Sequence, residues 1–230
     1  MKIQIIVLFM MLSTSRVGFS QSQDGKITTL ESSGIRLSET NYHPTYTKTL
    51  GSPYPNKAFL HAKVGDVVQN ALLRYNACYD EFEFINSKND TLVLNNAAAF
   101  STITITYPKA LYQYVNFTEK SGKLNTGYLV SLFEKNGYLL YKRQKIKYYD
   151  AIPAKSSYDT STQARFVPLK DTFFIKINDG EIFELPTNKK ELLKLFPEKK
   201  TDIEIFIKQN EIDLEKEPDV IKLIEFFTVN

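Results

Sequence analysis

The sequence predicts a mainly β protein with added α structure: an antiparallel β-meander, either a curved sheet or a barrel, followed by a C-terminal three-helix segment. Three features carry that expectation. From Ala58 onward, short runs alternate apolar and polar residues and end in turn residues, the pattern of sequential antiparallel strands. Asn136-Gly137 and Asn178-Asp179-Gly180 sit between such runs, and Asn-Gly favours the type I′ turn of a hairpin. After Thr187 the apolar period lengthens from two residues to that of a helix. The 16 Phe and 14 Tyr, with no Trp, suit pleated, half-buried strands.

Residues 1–20, MKIQIIVLFMMLSTSRVGFS, start with Lys2 and continue in an apolar run from Ile3 to Leu12, broken once at Gln4. Small residues Gly18 and Ser20 follow at the positions a signal peptidase reads, so a secretory signal peptide cut after Ser20 is expected. The apolar run falls short of the roughly 20 residues that span a bilayer. The protein is therefore expected to be exported, to the periplasm or the cell surface. Cleavage removes Lys2 and Arg16 and no acid, leaving 27 cationic against 26 acidic residues and a formal charge of +1. That balance provides no general attraction for nucleic acid. No later run is long enough for a transmembrane span in the mature chain. The lone Cys78 cannot close an internal disulfide, so stability has to come from the core.

Residues 21–56 read as a flexible N-terminal segment, with one short strand at Lys26–Leu30 and Pro- and Gly-rich loop chemistry in HPTYTKTLGSPYPN. Residues 57–186 form the β-rich body. Its expected strands are AFLHAKV (58–64), VVQNALLRY (67–75), YDEFEFI (79–85), TLVLN (91–95), FSTITITY (100–107), LYQYVNF (111–117), YLVSLFE (128–134), YLLYKRQKIKYY (138–149), TFFIKI (172–177) and EIFELP (181–186). Residues 187–230 form the helical segment. Asn188 is placed to cap a helix that Pro197 stops, and Thr201 with Glu204 has the spacing of a capping box for a second. Pro218 opens a third, in which Val220, Leu223, Ile224 and Phe227 share one face. Helices this short do not stand alone in water, so they must pack on one another or on the sheet.

The stretch ALLRYNACYDEFEFI (71–85) holds most of the candidate chemistry. Leu73, Tyr75, Ala77 and Tyr79 alternate with Arg74, Asn76, Cys78 and Asp80, and then the apolar parity flips to Phe82 and Phe84. A one-residue slip exchanges the faces of a strand, so a bulge or tight turn is expected between Asn76 and Glu81. Cys78 reads as an inert strand cysteine, because a reactive thiolate needs positive charge nearby and Asp80 and Glu81 oppose it. Asp80, Glu81 and Glu83 are candidate catalytic carboxylates; the more common role of such a cluster is the wet face of a strand. Farther on, Tyr141, Arg143, Lys145, Lys147 and Tyr149 fall on one side of the 138–149 run. A basic stripe between tyrosines is a candidate binding surface for an anionic partner, or else a solvated face whose lysines guard an edge. His43 and His61 match no zinc motif, and the chain has no nucleophile elbow, P-loop or dinucleotide fingerprint. Neither metal nor cofactor is expected.

GSPYPNKAF (51–59), LLRYNACYDEFEF (72–84), PAKSSYDTSTQARFVPLKDTFFIK (153–176) and the closing LLKLFPEKKTDIEIFIKQNEIDLEKEPDVIKLIEFF resemble a broad group of exported Bacteroidota (flavobacterial) envelope proteins without assigned activity. The resemblance spans most of residues 51–227. It implies a β-rich body with a helical tail and carries over no catalytic residue. Asp90-Thr91-Leu92 is similar to the O-glycosylation pattern of such proteins, which makes Thr91 a candidate modification site. The function expected is that of a non-enzymatic binding or structural module of the envelope, whose partner is another envelope protein or an anionic glycan. The alternatives are a carboxylate-dependent hydrolase of an envelope or extracellular substrate and a carrier of an apolar ligand.

Overall fold

The structure is a computed structural model that describes residues 49–65, 68–86, 89–94, 100–156 and 158–229. The expected signal peptide, the strand at Lys26–Leu30 and His43 lie outside the described residues. The strands are β1 (Leu60–Val64), β2 (Val68–Asn76), β3 (Glu81–Ile85), β4 (Thr91–Val93), β5 (Thr102–Ile105), β6 (Ala110–Thr118), β7 (Leu124–Lys135), β8 (Tyr138–Arg143), β9 (Ile146–Tyr149), β10 (Arg165–Pro168), β11 (Thr172–Ile177) and β12 (Phe183–Glu184). The helices are α1 (Lys189–Leu195), α2 (Lys200–Gln209) and α3 (Glu217–Val229), with a 3-10 turn at Pro197–Lys199 between the first two. The protein is thus mainly β with a C-terminal three-helix segment.

Ten strands form one sheet in the order β12-β11-β8-β7-β6-β5-β1-β2-β3-β4. A parallel bridge from β12 back to β6 pairs Phe183 with Thr118, and the Thr118 N–H donates to the Ile182 carbonyl at 2.8 Å. Strands β6, β7, β8, β11 and β12 therefore close on themselves, while β5 to β4 continue as an open, curved flap. Asn136 (φ 49°) and Gly137 (φ 80°) turn β7 into β8 in two residues, as the Asn-Gly signal requires. The second turn is longer than that signal implies. Asn178 alone takes positive φ, and pairing resumes only at Phe183 opposite Ile175.

The 138–149 run is not one strand. It breaks after Arg143, and β9 leaves the main sheet to pair with β10, Tyr148 opposite Phe166. The reason is tertiary: Ile146 must reach the core below the β2–β3 turn, where its N–H donates to the Ala77 carbonyl at 3.1 Å. β10 has no counterpart among the expected strands, because RFVP is short and ends in proline.

Side-chain parity divides the core. On one face, Leu73, Tyr75, Phe82, Phe84, Ile103 and Tyr128 pack with Ile146 and Phe166 from the small sheet. Tyr75, Phe82, Tyr112 and Tyr128 meet edge-on or tilted at centroid distances of 4.9–6.2 Å, each contact contributing about 0.5–1.5 kcal/mol beyond burial. Farther along the sheet, Leu140, Phe173 and Ile175 receive the helices, which bury Leu192, Ile203, Val220, Leu223, Ile224 and Phe227. A bulge between Ser131 and Phe133 lets both Leu132 and Phe133 pack toward that helical layer. Phe117, Leu129, Tyr141, Phe174 and Ile182 form a separate cluster from the opposite parity of the closed strands.

The helix signals are realised with one change. Asn188 Oδ1 accepts from the N–H groups of Lys190 (2.8 Å) and Glu191 (3.4 Å), while the Glu191 carboxylate pairs with Lys120 (2.7 Å). The Thr201–Glu204 capping box does not form. The 3-10 turn runs straight into α2, so Thr201 already lies inside the helix. No helix among the described residues is long and apolar enough to cross a membrane.

Candidate functional site

The opening turn resolves the flipped parity as expected: residues 77–80 form a tight turn, and Asp80 takes φ 57°. Cys78 lies in this turn and not in a strand. Its N–H donates to Asn76 Oδ1 at 3.2 Å, and burial pushes its thiol above the ordinary value, the reverse of nucleophile activation.

The three acids are not a wet strand face. Glu81 and Glu83 are only 6% and 4% exposed. The cause is the segment before β1, where loop chemistry suggests flexibility. Residues 50–59 cross over the polar side of the β2–β3 hairpin, anchored where Leu50 hydrogen-bonds Ala164 and Phe166 and where Pro53 accepts from the Ala77 N–H. Under this strap, Glu83 accepts from Arg74 Nη2 (2.5 Å) and Nε (3.2 Å), from the Tyr54 hydroxyl (3.0 Å) and from Asn76 Nδ2 (3.1 Å). The Arg74 guanidinium lies between the rings of Tyr54 and Phe59, 3.8 and 4.3 Å from their centroids. Burial, with the Glu83 charge next, raises the Tyr54 hydroxyl to about 12, so it remains a donor.

Asp80 faces the other way. It accepts from the Tyr75 hydroxyl at 2.6 Å and from the Tyr128 N–H at 3.2 Å. Burial is the main cause that lifts its carboxyl above the usual aspartate value. Gly127 makes this possible, since a Cβ there would overlap the Asp80 carboxylate. The structure thus keeps Asp80 apart from Glu83, and each is taken up in holding backbone and side chains together.

The basic stripe is dispersed by the break in its strand. Tyr141 is buried in the cluster with Phe117 and Phe174. Arg143 pairs with Glu119 at 2.9 Å and lies over the Phe117 ring. Lys145 is exposed at the break, and Lys147 and Tyr149 lie on β9, the ammonium 4.8 Å from the ring centroid. Thr91 is exposed at the start of edge strand β4. His61 is exposed on β1, and no group of three metal-ligating side chains exists among the described residues.

What the sequence did not reveal is a cleft of about 430 Å³ between the aromatic core and the helical layer. Its floor is Leu73, Tyr75, Phe82, Ile105 and Tyr112; Pro55 and Ala58 of the strap form one wall and Ile221 of α3 another. Polar side chains also line it: Asn56, Lys109, Ser131, Lys142, Gln144 and Glu217. The Tyr112 hydroxyl donates to Gln144 Oε1 at 3.1 Å. Burial, then the Asp171 charge, raises that hydroxyl to about 12 and keeps it protonated. Lys142, its side chain 14% exposed, sits at the mouth between Glu217 (2.5 Å) and Asp171 (3.6 Å). None of Asp80, Glu81 and Glu83 lines the cleft. Its walls come from segments as far apart in sequence as Pro55 and Ile221, and each wall residue reads in sequence as ordinary core or loop. No protein-family model, curated protein or solved structure matches the chain.

Proposed function

We propose that the chain is an exported, non-enzymatic binding module of the Bacteroidota type of envelope protein, holding a small amphipathic molecule in this cleft. One observation carries the reading: a cleft of ligand-site size with an apolar and aromatic floor, in which the Tyr112–Gln144 and Lys142–Glu217 pairs stand beside Asn56, Lys109 and Ser131 as directional polar groups. Small-molecule sites combine these features at volumes of about 300–1,000 Å³. Export rests on residues 1–20. The reading merges the module with the carrier alternative, since an apolar body would displace water from the floor while a polar end meets Gln144. The hydrolase alternative needs converging acids, whereas Glu83 is spent on the strap and Asp80 on the turn, and none of Asp80, Glu81 and Glu83 lines the cleft. Larger partners, an envelope protein or an anionic glycan, would engage the outer surface.

The test uses anilinonaphthalene sulfonate, an apolar fluorophore with one anionic end, titrated into the protein. Saturable enhancement at one site is expected. Ala110→Trp, which projects an indole into the cleft, should weaken it at least tenfold with an unchanged far-UV circular dichroism spectrum, and Tyr112→Phe should weaken it less. Binding that neither substitution alters would refute the cleft as the site.

A further inference from the structure

The helical segment separates its charges. Residues 188–200 hold five lysines against two glutamates, and residues 210–219 hold five acids against one lysine. Four of the five acids have partners: Glu215 with Lys170 (2.5 Å), Glu217 with Lys142 (2.5 Å), Asp213 with Lys216 (3.3 Å), and Asp219 accepting from the Asp213 N–H (3.1 Å). The lysines are different. Lys189, Lys190, Lys194 and Lys200 line a groove of about 800 Å³ between α1 and α2, floored by Leu193 and Pro197. Its single acid, Glu204, reaches only Lys189, at 4.0 Å. Among the described residues, no carboxylate lies within 4 Å of Lys190, Lys194 or Lys200, and all three are exposed. Lys190 and Lys194 stand four residues apart on one helix face, about 5–6 Å between Cβ atoms. The groove walls are held in place by the docking of Leu192, Leu193 and Ile203 on the core.

We propose that this groove binds a segment of an anionic glycan, its carboxylates or sulfates pairing with Lys190, Lys194 and Lys200. A concave channel with cations along it fits a linear chain better than a flat lipid surface. The protein's own candidates fit poorly. On a second copy, Asp213, Glu215 and Glu217 of the acidic stretch are already in ion pairs, and residues 21–48 carry Asp24, Glu31 and Glu39 against Lys26, Arg36 and Lys48. The groove is separate from the cleft, so the proposal takes only the exported setting from the reading above and survives if the cleft binds nothing.

The experiment titrates polygalacturonate oligomers, with neutral dextran as control, into the full chain and two variants of equal charge change. One carries Lys190→Glu, Lys194→Glu and Lys200→Glu; the other carries Lys63→Glu, Lys123→Glu and Lys155→Glu on exposed positions elsewhere. Uronate binding that weakens as salt screens it is expected, with a loss of about tenfold or more in the groove variant and near-normal binding in the control variant. Equal losses in both variants would overturn the proposal, since net charge alone would then account for binding. So would binding to phosphatidylglycerol vesicles without binding to the uronate. Circular dichroism confirms that each variant is folded.

Discussion

Replacing Arg74 with Met tests the strap most directly. The substitution keeps an unbranched stem between Tyr54 and Phe59 but removes the guanidinium, and with it both charge-assisted bonds to Glu83. Glu83 is then a carboxylate 4% exposed, with only the Tyr54 hydroxyl and Asn76 amide left to it. Orphaning one member of a buried ion pair typically costs about 3–5 kcal/mol, and that is the expected loss. With a urea slope of about 2–3 kcal/mol/M, the midpoint should fall by about 1–2 M. The opposite change, Glu83→Gln, should cost less, about 1–3 kcal/mol. It keeps a carbonyl for Tyr54 and Asn76, and it leaves the orphan charge on Arg74, whose side chain is 17% exposed and reaches the Lys57 carbonyl at 3.4 Å. Carrying both changes should cost less than the sum of the single losses by about 1–3 kcal/mol. With no Trp in the chain, far-UV circular dichroism is the suitable probe. An Arg74→Met loss below about 1 kcal/mol, or strict additivity in the double variant, would refute the idea that this pair holds the strap.

Two further substitutions probe the turn. Asp80→Asn retains an oxygen for Tyr75 and Tyr128 and a residue type that tolerates positive φ. Because burial raises the folded carboxyl above its unfolded value, the protonated form adds stability at low pH that is lost as pH rises through the folded value. Asp80→Asn should therefore match or exceed wild-type stability at pH 7, with the difference shrinking as pH falls toward about 4; a loss above about 1 kcal/mol at pH 7 would contradict this. Gly127→Ala pushes the Asp80 carboxylate away from Tyr128 and should cost about 1–3 kcal/mol by chemical denaturation, whereas an unchanged midpoint would show that the turn shifts freely.

Alternation and turn chemistry act between neighbours in sequence, and there the reading of the chain is close to the structure. Strands β1 to β8, the Asn136-Gly137 hairpin, the turn at residues 77–80, the Asn188 cap and the buried face of α3 all follow from residues within a few positions of one another. Burial is different, because it depends on what arrives from elsewhere. Glu81 and Glu83 have the pattern of a solvated face, and only the strap from residues 50–59 turns that face inward. Tyr141 and Lys147 lie in one alternating run, but the demand for Ile146 beneath the Ala77 turn sends the run into two sheets. The cleft likewise needs Pro55, Tyr112 and Ile221 side by side. Local sterics and periodicity set the order and kind of most elements, with β10 and the break before β9 the exceptions. Which polar groups are buried, which lysines stand unpaired and where a ligand has room follow from long-range packing that no local pattern encodes.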